Sequence, residues 1–313
     1  MKFDYDDINL IPRYSVVDSR SECDTSVKIG KHTFKNPVIP ANMESVISES
    51  VAIELAKNNY FYIMHRFGTD NIEFIRKMKN LKLISSISIG VNEDSYDVLE
   101  ELLINDLIPD YITIDIAHGH CKKMKRMLKH IKETLKLKSF IIAGNVSSIE
   151  GTRDLDIWGA DAIKVGISPG SACTTGPTTG FGSRNIQASV VYECHRATQK
   201  LIVADGGIKS PADITKSIVL GASLVMIGGM LSAFTDSPGR IVEIDGNKYK
   251  EFYGSASARQ GNKTSRIEGT VKLNKLKNAT LVEYLDYLTE CLQSSISYGG
   301  GKELSDLKSV RWI

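Results

Sequence analysis

Short apolar runs alternate along the chain with segments in which apolar residues recur every three or four positions. Several runs are apolar at nearly every residue, which is typical of parallel strands covered on both faces. Most successive runs lie about 20 to 30 residues apart, which leaves room for one helix and two loops. The eight predicted strands cover residues 37–41, 60–65, 84–89, 111–115, 139–143, 162–165, 201–204 and 223–227.

The segments between these runs predict amphipathic helices. Apolar residues at spacings of three and four indicate helices over 49–57 and 94–103. Glycine ends two further helices, over 152–158 and 211–219, and Ser210 followed by proline is typical of a helix start. Strands that alternate with helices form a parallel sheet, and eight such units favour a (β/α)8 barrel over an open doubly wound sheet.

The composition is that of a folded protein without a strong charge bias. The chain has 313 residues, of which 42% are apolar and 24% are charged, and its formal net charge is +2. A balance so close to zero provides no broad electrostatic surface for nucleic acid. We expect one catalytic barrel domain over residues 1–313, because barrels of this class have about 250 residues and often carry longer loops.

Three further features concern the compartment. No stretch approaches the roughly 20 apolar residues that a membrane helix needs. The first residues are acidic and lack the apolar centre of a secretory signal. The five cysteines are scattered without a CxxC pair, which argues against a disulfide framework or a zinc ribbon. These features predict a reduced, cytoplasmic protein that binds neither membrane nor nucleic acid.

Residues 166–182 form the most informative segment, because they hold one cysteine among five glycines, two prolines and four threonines. This composition predicts a loop with neither helix nor strand, and loops so long in compact domains are commonly functional. Cys173 at its centre is a candidate nucleophile, although a lone cysteine is often a small buried apolar residue. Thr175 offers a hydroxyl to the same ligand, and exposed backbone carbonyls are suited to a monovalent cation.

Two glycine pairs follow the last two predicted strands, in the sequences DGGI (205–208) and IGGM (227–230). Barrel enzymes often bind phosphate on the loops after strands seven and eight, where backbone N–H groups face the anion. We expect both pairs to bind a phosphate and to have the positive φ that favours glycine. Asp205 begins the first turn and is a candidate acceptor for ribose hydroxyls.

Several motifs taken together resemble the inosine-monophosphate dehydrogenase and guanosine-monophosphate reductase superfamily. The resemblance is carried by GISPGSACTT, VADGGI, VMIGGM and FYGSAS, and it is strengthened by NPVIPANME, FYIMHRF and ITIDIAHGH. The similarity extends from DYDDINLIP near the start to SSISYGGGKELSDL near the end. It implies a (β/α)8 barrel with its active-site loops at the carboxyl ends of the strands.

Two absences favour the reductase branch of the superfamily, in the form found in Gram-positive bacteria. Dehydrogenases usually carry regulatory cystathionine-synthase-like modules after the second strand, and here only about 18 residues separate His65 from Ile84. Dehydrogenases also use an Arg-Tyr pair on a flap, but neither Arg259 nor Arg266 is followed by tyrosine. Two alternatives stay open: a dehydrogenase without its regulatory insert, and a catalytically silent regulator that binds purine nucleotides.

The resemblance implies an NADPH-dependent reductive deamination of GMP to IMP, with release of ammonia. Cys173 would attack purine C2 and form a covalent thioimidate. Thr175 and Glu268 would transfer the proton that the departing amine needs. The resemblance also suggests a homotetramer.

The substrate residues follow from the resemblance position by position. Those at the phosphate would be Ser171, Gly207, Gly228, Gly229 and Tyr253, to which the DGGI turn adds Gly206. Asp205 would bind the ribose, and Ser255 and Ala256 would contact the base.

The resemblance also places a cofactor and a cation. The nicotinamide site would include Asp115 and Ala117. A potassium ion would bind the carbonyl oxygens of Ser168, Gly170 and Cys173. Ser168 stands where the superfamily usually has glycine, a departure that bears on whether this chain needs potassium.

Overall fold

The computed structural model describes residues 2–170, 173–254 and 270–313. An antiparallel hairpin, β1 (Val27–Ile29) and β2 (His32–Phe34), precedes a sheet of seven parallel strands. In chain order these strands are β3 (Val38–Pro40), β4 (Ser86–Ile89), β5 (Tyr111–Asp115), β6 (Phe140–Val146), β7 (Ala162–Val165), β8 (Leu201–Asp205) and β9 (Leu224–Ile227). The sheet order is β3-β9-β8-β7-β6-β5-β4, so β9 pairs with the first strand and the sheet curls into a barrel.

The prediction of a regular strand over 60–65 is wrong. This segment lies beside β4 and joins it through an isolated parallel bridge at Met64. The Tyr62 hydroxyl donates to the carbonyl of Ile84 at 2.7 Å and accepts from the amide of Ser86 at 3.3 Å. The Tyr62 hydroxyl thus bonds to a carbonyl and an amide that the backbone of a regular neighbouring strand would pair with. The fold is therefore a (β/α)8 barrel whose second strand is irregular.

Side chains that point into the barrel form a packed apolar core. The β1–β2 hairpin closes this core at the amino ends of the strands. The ring centroids of Phe34 and Phe61 are 5.0 Å apart, and the Tyr111 hydroxyl donates to the Ile29 carbonyl at 2.7 Å. The buried residues of this inner core are Ile29, Phe34, Ile39, Ala41, Phe61, Ile63, Tyr111, Ile142, Ala162, Val203, Leu224 and Met226. The open end of the barrel is therefore the one formed by the carboxyl ends of the strands.

Helices surround the sheet and cover its outer face with a second, larger apolar layer. In chain order they are α1 (Glu49–Lys57), α2 (Asn71–Asn80), α3 (Glu93–Ile104), α4 (Lys122–Lys129), α5 (Ile149–Ile157), α6 (Thr175–Thr179), α7 (Gln187–His195), α8 (Pro211–Val219) and α9 (Leu281–Tyr298). The predicted helices correspond to α1, α3, α5 and α8, with ends that shift by less than one turn. In the described part of the chain, none of the helices has the length and apolar character needed to span a bilayer.

The prediction that residues 166–182 contain neither helix nor strand is wrong at α6. This single helical turn ends at Gly180, whose φ of 78° is left-handed. The Thr179 hydroxyl donates to the Thr175 carbonyl at 2.7 Å. The hydroxyl adds a side-chain bond to a backbone carbonyl of the same turn, a local contact that composition does not predict.

Three antiparallel strands that the apolar pattern does not predict follow β9. They are β10 (Ile241–Ile244), β11 (Asn247–Tyr253) and β12 (Val271–Lys275), paired in that order. The outer strands β10 and β12 are mostly exposed, so they lack the alternation of buried and exposed residues that marks a strand in a sequence. The Asn274 amide donates to the carbonyl of Gly229 at 3.1 Å, which fastens this small sheet to the turn after β9.

A glycine after α8 tests how tightly the helical layer is packed. Gly221 has a φ of 108°, and a Cβ there would lie 2.1 Å from Cγ of His195. Gly221→Ala should combine backbone strain with a steric clash, and we expect it to lower the free energy of unfolding by about 3 kcal/mol or more. Circular dichroism during guanidinium denaturation measures the loss.

Gly246→Ala is the matched control for this substitution. Gly246 has a φ of 74°, but a Cβ there would meet nothing within 4 Å. Backbone strain alone should lower its free energy of unfolding by about 1 kcal/mol. Equal losses in the two variants would show that the side chain of His195 does not pack against the α8 turn.

Candidate active site

Charged side chains cluster at the open end of the barrel. Asp115 ends β5, Lys164 lies in β7, and Asp205 ends β8. Lys164 and Asp205 each follow an inner-core residue, Ala162 and Val203, by two positions. Because side chains two apart share one face of a strand, the alternation that builds the apolar core also directs these charges inward, one layer higher.

Lys164 forms ion pairs with both aspartates. Its Nζ lies 2.6 Å from Oδ2 of Asp205 and 2.9 Å from Oδ1 of Asp115. The lysine side chain is 3% exposed, whereas those of Asp115 and Asp205 are 21% and 19% exposed. The cation therefore lies beneath the two carboxylates, and the carboxylates face the open end.

Two asparagine side chains orient the carboxylates. Asn42 Nδ2 donates to Oδ2 of Asp115 at 2.7 Å, and Asn145 Nδ2 donates to Oδ2 of Asp205 at 2.7 Å. Oδ2 of Asp205 thus accepts from both Asn145 and Lys164, while its Oδ1 has no donor among the described residues. This leaves Oδ1 of Asp205 as an acceptor for a ligand.

Burial and charge act in opposite directions on the pKa values of this cluster. Burial raises the pKa of Asp115, but the charge of Lys164 and hydrogen bonds from Asn42 and Lys164 outweigh burial and hold that pKa below its usual value. Burial lowers the pKa of Lys164, but the two carboxylates raise it by more than burial lowers it, so the pKa lies above its usual value. Lys164 therefore stays protonated at neutral pH and Asp115 stays ionised.

The loop after β7 brings Cys173 and Thr175 together. The Cys173 thiol donates to the Thr175 hydroxyl, with 3.3 Å between Sγ and Oγ1. Cys173 is half-buried, whereas Cys23 and Cys194 are buried. A hydroxyl at this distance can pass a proton to or from a group bound at the sulfur. The contact is what the predicted pairing requires, and the catalytic roles stay predictions.

Ser168, near the start of this loop, bonds to the backbone at the centre of the loop. Its hydroxyl donates to the carbonyl of Cys173 at 3.4 Å and accepts from the amide of Gly176 at 3.1 Å. Its φ of 54° is left-handed, a conformation that favours glycine. Arg184 donates to the carbonyl of Gly170 at 3.4 Å. Two of the three carbonyl oxygens predicted to bind potassium, those of Gly170 and Cys173, therefore already accept hydrogen bonds from the protein.

The two glycine turns differ in backbone conformation. Gly206 and Gly207 have φ values of 82° and 81°, which confirms the expected left-handed pair after β8. The same expectation is wrong after β9, where Gly228 has a φ of −99° and Gly229 begins a 3-10 turn. Space explains the glycine there, because a Cβ on Gly228 would lie 3.1 Å from the ring of Phe252.

The end of β11 is held at the same rim. The Tyr253 amide donates to Oγ of Ser45 at 3.3 Å, and the Ser45 hydroxyl donates to the Tyr253 carbonyl at 3.1 Å. Ser45 belongs to the loop after β3, so this pair joins the small sheet to the barrel. It brings the predicted phosphate residue Tyr253 to the side of the barrel that carries Gly228.

The remaining predicted residues fall into two groups. Ala117 is exposed on the turn that follows Asp115. The predicted residues that lie outside the described residues are Ser171, Ser255, Ala256 and Glu268. The structure thus brings together the thiol, the two carboxylates and both glycine turns at one end of the barrel.

Lys164, Asn42 and Asn145 are site residues that the sequence analysis does not predict. A signal for Lys164 is present, since a lysine in the otherwise apolar strand AIKV needs a carboxylate partner when it is buried. Asn42 and Asn145 come after the predicted strands over 37–41 and 139–143, where asparagine is common for reasons of turn geometry, so nothing in the sequence distinguishes them.

Comparison with known proteins places these features in a family context. A sequence profile for the IMP dehydrogenase / GMP reductase domain matches residues 2–312. A protein from Mesoplasma florum named GMP reductase is 50% identical over 311 residues, which are 99% of this chain and 97% of that protein. Proteins of the same name from Staphylococcus epidermidis (51% over 312 residues) and Albidiferax ferrireducens (50% over 311 residues) each align with 99% of this chain and 95% of their own length.

The cysteines should differ widely in reactivity. Burial raises the pKa of the Cys194 thiol to about 11, so at pH 8 only about one molecule in a thousand carries a thiolate there. We expect iodoacetamide to modify Cys173 at least about 100 times faster than Cys194 in the native protein. Peptide mass spectrometry over a time course measures both rates, and urea-denatured protein, in which the rates should converge, is the control. Similar rates in the native protein would contradict the burial of Cys194.

Proposed function

Because this chain belongs to the IMP dehydrogenase / GMP reductase family, we propose that it reduces GMP to IMP with NADPH and releases ammonia. The contact between the Cys173 thiol and the Thr175 hydroxyl at the open end of the barrel is the observation that carries the proposal. Similarity at about 50% identity to proteins named GMP reductase, over 99% of the chain, supports it.

The proposed reaction converts one GMP, one NADPH and two protons into one IMP, one NADP⁺ and one ammonium ion. The Cys173 thiolate adds to C2 of the purine, the C2–N bond breaks once the amine is protonated, and a thioimidate then joins C2 to Sγ. C2 next receives a hydride from the dinucleotide, and the C–S bond breaks to return the thiolate.

Thr175 is well placed to move the protons that this sequence requires. The thiol must lose a proton before it attacks, and the amine must gain one before it leaves, both within reach of the same purine carbon. The Thr175 hydroxyl, 3.3 Å from Sγ, can relay a proton between these positions. Glu268, which lies outside the described residues, would exchange that proton with solvent.

In the cluster of Lys164, Asp115 and Asp205, Asp205 would bind the substrate. Its Oδ1 suits a ribose hydroxyl, because both other donors already bond to Oδ2. Backbone N–H groups at the two glycine turns suit the phosphate. The proposed phosphate residues are Ser171, Gly206, Gly207, Gly228, Gly229 and Tyr253, and the proposed base contacts are Ser255 and Ala256.

The dinucleotide would meet the other carboxylate, that of Asp115, and the exposed turn at Ala117. These residues fit such a ligand, because a partly exposed, ionised carboxylate can accept hydrogen bonds from ribose hydroxyls. A potassium ion would bind the carbonyl oxygens of Ser168, Gly170 and Cys173. It would share two of those oxygens with donors from the protein.

Three further expectations remain predictions. Residues 1–313 are proposed to form one catalytic domain, the oligomer is proposed to be a homotetramer, and the enzyme is proposed to act in the cytoplasm on free purine nucleotides, which it would interconvert.

A direct assay separates the proposed reaction from its nearest alternative. The absorbance of NADPH at about 340 nm should fall when GMP is added, because hydride transfer consumes the reduced dinucleotide. IMP with NAD⁺ should give no rise in absorbance. The reverse pattern would identify a dehydrogenase without its insert, and GMP binding without a change in either assay would identify a silent nucleotide-binding regulator.

Removal of the thiol should separate chemistry from binding. We expect Cys173→Ala to abolish GMP-dependent NADPH oxidation while the Kd for GMP changes less than about fivefold, since the ribose and phosphate contacts lie on other residues. Cys291→Ala, another half-buried cysteine outside the site, is the matched control and should keep full activity. Activity of Cys173→Ala within tenfold of the wild type would sink the covalent mechanism.

The turn after β9 offers a test of phosphate binding. A Cβ on Gly228 would push against Phe252, and we expect Gly228→Ala to displace the turn and raise the Kd for GMP at least about tenfold. Guanosine, which has no phosphate, should lose little affinity in the same variant. Calorimetric titration measures both ligands, and Gly246→Ala should leave both unchanged. Equal losses for GMP and guanosine in folded Gly228→Ala would show that the phosphate lies elsewhere.

A further inference from the structure

One buried cation joins the proposed substrate side of the site to its proposed dinucleotide side. We propose that Lys164 is a positioning residue that couples the binding of GMP to the binding of the dinucleotide, a role that rests on the function proposed above. The coupling would pass from Asp205 through Nζ of Lys164 to Asp115.

Lys164 itself has no donor left for a ligand. An ammonium has three N–H groups. Two of them bond to Asp205 and Asp115, and the sulfur of Met226 lies 3.9 Å from Nζ. Since the side chain is also 3% exposed, Lys164 acts through the two carboxylates rather than by touching substrate or dinucleotide.

The geometry explains how one ligand would help the other to bind. A ribose hydroxyl that donates to Oδ1 of Asp205 restrains that carboxylate, whose Oδ2 holds Nζ at 2.6 Å. The restrained Nζ in turn fixes Oδ1 of Asp115 at 2.9 Å. The second ligand then meets an acceptor that is already ordered, so less conformational entropy is lost when it binds.

The same charge keeps the two carboxylates together. Lys164 and the more weakly acting Arg66 are the cations that lower the pKa of Asp115. Without Lys164, Asp205 would keep only the Asn145 amide among the donors to its carboxylate in the described residues, and two carboxyl groups would face each other at the ends of β5 and β8. When one buried partner of an ion pair is removed, the other charge is left uncompensated. Removal of Lys164 should therefore affect the binding of both GMP and the dinucleotide.

Calorimetric titration of GMP, with and without saturating NADP⁺, measures the coupling. NADP⁺ is used because it cannot reduce GMP, so the ternary complex does not react. In the wild type we expect NADP⁺ to lower the Kd for GMP at least about fivefold, the lower end of typical coupling between sites. In Lys164→Met, which keeps an unbranched side chain one atom shorter and removes the charge, this ratio should fall to within about twofold of one.

Two further variants distinguish coupling from general destabilisation. Lys164→Arg retains a cation and should restore at least half of the wild-type ratio, a rescue that a purely steric role would not give. Lys132→Met is the matched control. Lys132 pairs with Asp161 at 2.6 Å near the start of the same strand, away from the open end, and its loss should leave the ratio unchanged.

Several outcomes would overturn the proposal. Folded Lys164→Met with the wild-type ratio would remove the role of Lys164. A wild type in which NADP⁺ leaves the Kd for GMP unchanged, or raises it, would also do so, and this measurement decides the matter even if Lys164→Met does not fold. A wild type that fails to oxidise NADPH with GMP would instead defeat the proposed function, so the two failures are distinguishable.

Discussion

The buried ammonium of Lys164, shared by Asp115 and Asp205, is the interaction on which the open end of the barrel depends. Two carboxyl groups so close together need a cation, and a lysine that is 3% exposed needs carboxylates. The barrel meets both needs because side chains two positions apart on a strand share a face. The pattern that packs Ala162 and Val203 into the core thus carries the charges to its upper layer.

Around these three charged residues, the loops of the proposed ligand site are held by specific side-chain contacts rather than by regular secondary structure. Ser168 bonds to the backbone of Cys173 and of Gly176, and the Cys173 thiol donates to the hydroxyl of Thr175. The turn after β9 packs closely against Phe252, whose ring would lie 3.1 Å from a Cβ on Gly228. The Cys173 thiol, the Thr175 hydroxyl and the two glycine turns are therefore fixed relative to one cation and two carboxylates, as the proposed covalent reaction at one purine carbon would require.

The sequence predicts the barrel well because seven of its strands are short and mostly buried, and apolar residues make up half or more of each. The strand prediction fails for 60–65, where the Tyr62 hydroxyl bonds to the backbone of Ile84 and Ser86. The pattern of apolar residues cannot show that a side chain replaces backbone groups in such bonds. The candidate loops and glycine turns are predicted from composition, but the different reasons for glycine at 206 and 228 depend on packing across elements. The pairing of Lys164 with two carboxylates likewise depends on which strands become neighbours.

The central claim is that a hydride reaches C2 of a purine held at Cys173. The most direct test uses NADPH with deuterium at both positions of the nicotinamide C4, incubated with GMP and the enzyme. Mass spectrometry of the isolated product should show IMP with one deuterium. Proton nuclear magnetic resonance spectroscopy should show that this deuterium replaces the proton on C2. IMP that carries hydrogen from solvent at C2, or NADPH oxidised without the formation of IMP, would contradict the account.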